Sequence, residues 1–310
     1  MHSRRHLISI NDLSPQQLRH LVSRSVQFAT GDAAQEQPLR GLVVGIYFRK
    51  TSTRTRTAFS SGALRLGAQI VSYGPHDLQE NTGETGEDTM RVLSRMLHGF
   101  VARTAGSTEE MRMYASQSQM GVINAMSAEE HPTQALADLT TLQRHFGRIE
   151  GLRVLYVGEG NNTAAALALA LSHFKGTELR LYTPLGYGVL PHVLTQAEQR
   201  ARQNDARVSE HHSMAELPGG FDVVYTTRWQ TTGTTKPDPN WLSFFSPFHV
   251  GEQLMAVNPK AIFMHDLPAH RGQEVAASVL DGPVSIAFDQ AENKLYSAMA
   301  ALEWCLKSGD

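Results

Sequence analysis

The chain has 310 residues, 41% of them hydrophobic and 19% charged, with 28 basic against 30 acidic side chains and a single cysteine. That length gives room for roughly two average domains with ample buried cores, while a lone Cys305 excludes an internal disulfide and a multi-cysteine zinc site and fits a reducing compartment. A formal charge of -2 lacks the basic excess that phosphate-backbone binding needs, so nucleic acid is not the expected partner.

The longest apolar run, Ala164 to Leu171, is far shorter than the ~20 residues of a membrane span. Met1–His6 leads into Leu-Ile-Ser-Ile-Asn-Asp with no apolar signal core behind it, so the expectation is a cytoplasmic globular protein with no membrane partner.

In chain order, Ser14-Pro15-Gln16-Gln17 is a helix start, with a serine cap, proline at the first helical position and a glutamine to complete a capping box. Leu18, Leu21, Val22 and Val26 follow at helical spacing, and Gly31 closes the segment. Leu42–Phe48 is a continuous, β-branched apolar run, the pattern of a strand buried on both faces.

Gln69–Tyr73, Phe100–Arg103 and Val122–Ala125 read as further strands, with helices at Ala58–Leu66, Asp88–Leu97 and Thr108–Ser116 between them. A long helix runs from Pro132 to Phe146 and stops at Gly147. The alternation then restarts: strand Val154–Val157, helix Asn162–Phe174, strand Leu179–Tyr182, helix Leu194–Asn204, and strands Val223–Thr226, Ala261–Met264 and Ser285–Ala287. A last helix covers Ala291–Leu306.

Strand and helix alternating twice predicts an α/β protein of two domains, each a parallel sheet flanked by helices, the alternative being one larger sheet. Ligands of such sheets sit at the carboxyl ends of the strands, so the loops after Phe48, Arg103, Ala125, Val157, Thr226 and Met264 are where chemistry is expected.

Directly after the first strand, Arg49-Lys50-Thr51-Ser52-Thr53-Arg54-Thr55-Arg56-Thr57 opens a helix. Hydroxyls, guanidinium groups and unpaired helix amides around one point make a dianion site. The segment lacks the glycines and Gly-Lys-Ser/Thr of a Walker loop. Gly158-Glu159-Gly160-Asn161-Asn162 starts like a dinucleotide fingerprint, but Thr163 stands where its third glycine belongs. It reads instead as a tight strand-to-helix turn, with Asn162 available to a ligand at the helix N-terminus.

Three further segments complete a pattern: His131-Pro132-Thr133-Gln134-Ala135-Leu136-Ala137-Asp138, Met264-His265-Asp266-Leu267-Pro268-Ala269-His270-Arg271-Gly272 and Phe288-Asp289-Gln290-Ala291-Glu292-Asn293-Lys294. With Ser52–Arg56 and Gly158–Asn162, they resemble the ornithine carbamoyltransferases of the aspartate/ornithine carbamoyltransferase superfamily, in order and over nearly the whole chain.

The resemblance implies a carbamoyl-phosphate domain over residues 1–146, with the helix 291–310 packing back on it, and an acceptor domain over residues 147–290. It also implies a homotrimer with active sites between subunits. By matching motif, Ser52, Thr53, Arg54 and Thr55 would hold the phosphate of carbamoyl phosphate, Arg103, His131 and Gln134 its carbamoyl group, and Lys294 would add a contact. Gln79, in the loop Gly74–Asp88, aligns with a loop that reaches a neighbouring site.

Carbamoyl phosphate is a mixed anhydride. An uncharged amine attacks its carbonyl, an oxyanion develops and phosphate leaves, so Arg54 and Arg103 would stabilise the growing charge while His131 donates to the oxyanion. Closing domains supply orientation and exclude water. This chemistry requires neither a metal nor an organic cofactor.

Three positions break the family pattern. Asp266 stands where the family carries the cysteine of His-Cys-Leu-Pro. Thr227-Arg228-Trp229-Gln230-Thr231-Thr232-Gly233 stands where it carries Asp-x-Trp-x-Ser-Met-Gly, whose aspartate receives the ornithine α-ammonium. Lys294 replaces an arginine and loses its planar fork.

An ammonium without its buried partner costs roughly 3–5 kcal/mol, so ordinary ornithine is expected to bind poorly. Asp266 could instead pair with a different cationic group or accept the proton of the attacking ammonium. Asn162, Thr227, Arg228, Thr231, Thr232, Asp266 and Leu267 are the candidate acceptor residues, and Arg54, Arg103, His131 and Asp266 the candidate catalytic ones.

The expectation is therefore a carbamoyltransferase acting on an amino-acid-like amine other than plain ornithine, as in a specialised biosynthetic route. An ornithine carbamoyltransferase with a reworked pocket, in which Asp266 compensates for Thr227, and a non-catalytic ligand-binding relative remain as alternatives.

Overall fold

The computed structural model describes residues 4–33, 36–215, 217–231 and 233–307, without the side chains of residues 80 and 81. The chain divides into two compact units, Met1–Thr140 with Asn293–Asp310, and Thr141–Glu292.

The first unit opens with α1 (Pro15–Thr30), started by the expected capping box: Ser14 accepts from the Gln17 amide and the Gln17 side chain returns to the Ser14 amide. Then follow β1 (Val43–Phe48), α2 (Thr53–Arg65), β2 (Gln69–Tyr73), α3 (Gly86–Leu93), β3 (Gly99–Arg103), α4 (Thr108–Tyr114), β4 (Gly121–Met126) and α5 (Pro132–Phe146), which continues into the second unit. The strands form one parallel sheet in the order β2-β1-β3-β4.

Tyr47, Phe100, Met111, Tyr114 and Val122 belong to an apolar cluster of this unit. Phe100 meets Tyr114 edge-on with ring centroids 5.9 Å apart, a favoured aromatic geometry.

The second unit contains β5 (Arg153–Val157), α6 (Asn162–Leu171), β6 (Glu178–Tyr182), α7 (Pro191–Gln203), β7 (Arg207–His211), β8 (Val223–Thr226), α8 (Trp241–Phe245), α9 (Glu252–Val257), β9 (Ile262–His265) and α10 (Ala277–Leu280). The last helix, α11 (Ala287–Leu306), begins here and returns to the first unit. The sheet is again parallel, in the order β7-β6-β5-β8-β9. Every residue of α6 is buried, which explains an apolar sequence without a polar stripe.

Two separate sheets replace the single-sheet alternative, and three local expectations change. Ser285–Ala287 is not a strand: Ser285 makes only an isolated bridge to Phe263, and the chain turns at once into α11, which therefore starts before Ala291. The strand β7 was hidden because it lies at the sheet edge, where Val208 is its only buried residue and the rest is polar. Helix α2 starts at Thr53 rather than Ala58, so the hydroxyl- and arginine-rich segment is itself the first helical turn.

Candidate functional site

In an open parallel sheet, the crevice forms where successive connections leave in opposite directions along the strand order. In the first unit the chain runs from β1 outward to β2 and then back to β3, so that point lies between β1 and β3. Phe48, the last residue of β1, is in register with Arg103, the last of β3, and the Arg49 amide donates to the Arg103 carbonyl at 2.9 Å. The sheet itself thus sets the Ser52–Thr55 turn beside Arg103.

Ser52 is the N-cap residue of α2, but its hydroxyl makes no capping bond. Thr55 is buried, Ser52 and Arg54 are half-buried and Thr53 is exposed. Arg56 donates to Ser72 Oγ at 2.8 Å.

Beside β3, strand β4 leads to His131 and α5. Arg103, His131, Gln134 and Lys294 are all buried. Arg103 Nη1 lies 3.3 Å from His131 Nε2, and Thr133 Oγ1 lies 3.3 Å from His131 Nδ1. Burial, then the charges of Arg103 and Lys294, hold the imidazole well below its ordinary pKa, so it is neutral. A guanidinium only donates. Nε2 is therefore an acceptor, and the single ring proton sits on Nδ1, facing Thr133.

In this arrangement Nε2 faces the Arg103 guanidinium, whose remaining N–H groups can donate to a carbonyl oxygen. Gln134 donates from Nε2 to Asp138 Oδ1 at 2.8 Å, while its buried Oε1 accepts no hydrogen bond among the described residues. That oxygen is an acceptor suited to an amide N–H. Gln79 lies in an exposed turn, where its Oε1 accepts from Thr82 Oγ1 at 2.7 Å.

Glu130, to which no sequence motif points, anchors the loop carrying His131. Its buried carboxylate accepts from Ser9 Oγ at 2.5 Å and from the Ile10 amide at 2.7 Å. Burial pushes its pKa up to about 7, against the lowering effect of those two bonds.

In the second unit the reversal lies between β5 and β8. Val157 pairs with Thr226 and Thr226 with His265, so the loops after β5, β8 and β9 leave the sheet side by side. Gly158 has a φ of +130°, and a side chain on Gly160 would lie 2.2 Å from the Val189 amide nitrogen. Both glycines are thus required by the turn and by a neighbouring loop. The space a pyrophosphate would need at Gly160 is occupied by backbone.

Asn161, not Asn162, caps α6, accepting from the amides of Thr163 and Ala164. Its Nδ2 donates to Thr231 Oγ1 at 3.0 Å and approaches Thr227 Oγ1 at 3.5 Å. Asn162 is buried in the first turn of α6. Thr231 gives both its amide, at 3.2 Å, and its hydroxyl, at 2.8 Å, to Glu159 Oε2.

Asp266 stands among these residues, with Oδ1 accepting from Thr227 Oγ1 and Oδ2 from Thr163 Oγ1, each at 2.9 Å. His265 Nδ1 is 3.5 Å from Asp266 Oδ1 but accepts the Leu267 amide at 2.8 Å, so it is not a donor to that carboxylate. Leu267 has a φ of +54° and packs its partly buried side chain against the apolar core. Arg228 is half-buried and its Nε has no hydrogen-bond partner among the described residues. Thr232 lies outside the described residues.

Glu159 and Asn161 were legible only as parts of a turn. The signal that could have found them is their place at the carboxyl end of a central strand.

One parallel α/β unit thus holds an arginine, imidazole and amide cluster, and the other holds a carboxylate fixed by two hydroxyls. Residues 5–144 match the family model for the aspartate/ornithine carbamoyltransferase carbamoyl-P binding domain, and residues 150–305 that for the Asp/Orn binding domain. The chain belongs to the aspartate/ornithine carbamoyltransferase family and is a carbamoyltransferase.

It is 38% identical over 98% of both chains to an ornithine carbamoyltransferase of Nitrosococcus oceani. To that of Gloeobacter violaceus it is 36% identical, over 96% of this chain and 94% of the other. The ornithine carbamoyltransferase structure from Pyrococcus furiosus superposes with a TM-score of 0.93 at 33% identity, covering 99% of each chain.

Proposed function

We propose that the chain transfers the carbamoyl group of carbamoyl phosphate to the side-chain amine of ornithine, with Asp266 receiving the α-ammonium that the family's aspartate receives from the position of Thr227. The observation that carries this reading is the 2.9 Å hydrogen bond between Thr227 and Asp266. The anion absent from one position stands one hydrogen bond away at the other. The hydroxyls of Thr227 and Thr163 fix the orientation of that carboxylate.

The Nitrosococcus, Gloeobacter and Pyrococcus relatives are ornithine carbamoyltransferases, which also favours ornithine over the different amine expected from the substitutions.

In this reading residues 1–146 with the end of α11 form the carbamoyl-phosphate domain. Ser52, Thr53, Arg54 and Thr55 hold the phosphate with the first amides of α2, Lys294 adds charge, and Gln134 Oε1 accepts from the carbamoyl NH2. The nitrogen lone pair attacks the carbonyl carbon, the new C–N bond forms as the C–O bond to phosphorus breaks, and phosphate leaves with that electron pair. Arg103, aimed by His131, stabilises the oxyanion. The nitrogen then loses its extra proton to solvent or to the departing phosphate. The assembly is a homotrimer, which sedimentation tests, and the compartment is the cytoplasm.

A second reading, an acceptor other than ornithine, is favoured by Arg228, whose Nε has no hydrogen-bond partner among the described residues and suits an extra anionic group on the acceptor. One experiment separates the readings: an amine panel with carbamoyl phosphate, monitored by phosphate release and product mass. Efficient citrulline formation is the expected result. Turnover of other amines but not ornithine supports the second reading, and binding of carbamoyl phosphate without turnover of any amine supports a non-catalytic relative.

A further inference from the structure

The acceptor loop is tied down by a cation that no part of the reaction uses. Lys236 Nζ makes an ion pair with Glu159, and the lysine side chain is only 4% exposed. Three rings enclose the ammonium, with Nζ at 4.8 Å from the Tyr187 centroid, 5.4 Å from Trp241 and 4.8 Å from Phe245. Cation–π attraction strengthens when the ion is desolvated.

Glu159 connects this cage to the loop after β8. While one carboxylate oxygen meets Lys236, the other takes the amide and hydroxyl of Thr231. Thr231 Oγ1 accepts from Asn161 Nδ2, which also approaches Thr227 Oγ1, and Thr227 donates to Asp266. A continuous polar chain thus runs from the caged ammonium to the carboxylate proposed to receive the acceptor.

We propose that the Lys236–Glu159 ion pair holds residues 227–231 and 233–236 in the conformation that binds the acceptor, so that Lys236 is a positioning residue for acceptor binding. The inference rests on the reading that Thr227 and Asp266 contact the acceptor. Physically, the loop spends its ordering cost on folding rather than on binding, because a buried charge pair and three rings fix its far end. Without the cation, Glu159 keeps its charge in a site where water is scarce and is drawn outward, releasing Thr231.

Lys236→Met fills the cage with an apolar chain of similar length and removes only the charge. In hydrogen exchange on the ligand-free protein, the peptide covering residues 228–236 should exchange faster in the variant, while peptides from β5 and β9 stay protected. In steady-state kinetics, KM for ornithine should rise about tenfold to a hundredfold, with KM for carbamoyl phosphate within about twofold of wild type. Lys236→Arg, which keeps the cation, should recover most of the ornithine affinity. Glu159→Gln should reproduce the Lys236→Met phenotype if the first variant folds poorly.

Unchanged exchange over residues 228–236, or equal increases in both KM values, overturns the proposal. Failure of Asp266→Asn to weaken ornithine binding removes the acceptor reading instead, and loop ordering by Lys236 then stands or falls on the exchange result alone.

Discussion

Thr227 Oγ1 donates to Asp266 Oδ1 at 2.9 Å, so two residues far apart in the sequence of one unit, each a departure from the family pattern, touch each other in the fold. Taken separately, one removes a carboxylate and the other adds one. In contact they amount to moving a negative charge by one side chain.

That relationship makes the two positions non-additive. Thr227→Asp alone sets two carboxylates against each other, so one must take up a proton or the pair must separate, and ornithine turnover should fall. Adding Asp266→Cys should recover activity, because it restores a single carboxylate. Asp266→Asn alone should raise the KM for ornithine by about 10- to 100-fold through loss of a charged hydrogen-bond acceptor. Steady-state kinetics on the four proteins gives the coupling, and additive effects would show that the positions act independently.

His131 should stay neutral through the working range. Its folded pKa is held below the ordinary value by burial and by the Arg103 and Lys294 charges, so the unfolded chain binds the proton first as pH falls. The stability this provides is present above the unfolded value of about 6.5 and is lost as pH drops below it. A melting temperature compared at pH 8 and pH 5.5 should fall less in His131→Asn than in wild type. The same variant should lose about 100-fold or more in kcat, since Arg103 loses the group that aims it.

Glu130 titrates with the opposite sign. Its folded pKa is raised from the carboxylate range to about 7, so stability present at acid pH is lost as pH rises from about 4.5 through 7. The groups acting on it are the Ser9 hydroxyl and Ile10 amide, with Asp12 raising and Arg112 lowering its pKa. Glu130→Gln removes on the order of 3 kcal/mol of that pH dependence, an upper figure for a shift of this size. On going from pH 5.5 to pH 8 the denaturant midpoint of the variant should therefore move upward relative to that of wild type.

Gly160→Ala tests whether the glycine pair after β5 is architectural. The added methyl would meet the backbone of Gly188 and Val189, which cannot yield as a flexible side chain would. Destabilisation of about 1–3 kcal/mol is expected from forced backbone movement, seen as a lower melting temperature of the second unit. Added dinucleotide should not restore it.

Much of this was legible from the chain. Leu42–Phe48, Phe100–Arg103 and Val154–Val157 announce central strands because burial on both faces leaves no polar alternation. The Ser14 capping box is local chemistry and appears as written. The edge strand Arg207–His211 was hidden because only one of its residues needs to be apolar. Glu159 and Lys236 were invisible as a pair because nothing local distinguishes a buried ion pair from two solvated charges.

By itself the sequence determined the alternation of strand and helix, the ordered motifs and hence the family, since apolar period and motif spacing are properties of neighbouring residues. The tertiary structure decided the meaning of Thr227 and Asp266. Their loops leave adjacent strands, β8 and β9, and only the parallel pairing of those strands brings the hydroxyl within hydrogen-bond reach of the carboxylate. Electrostatic compensation acts through space, and the distance that governs it is set by the sheet, not by separation along the chain.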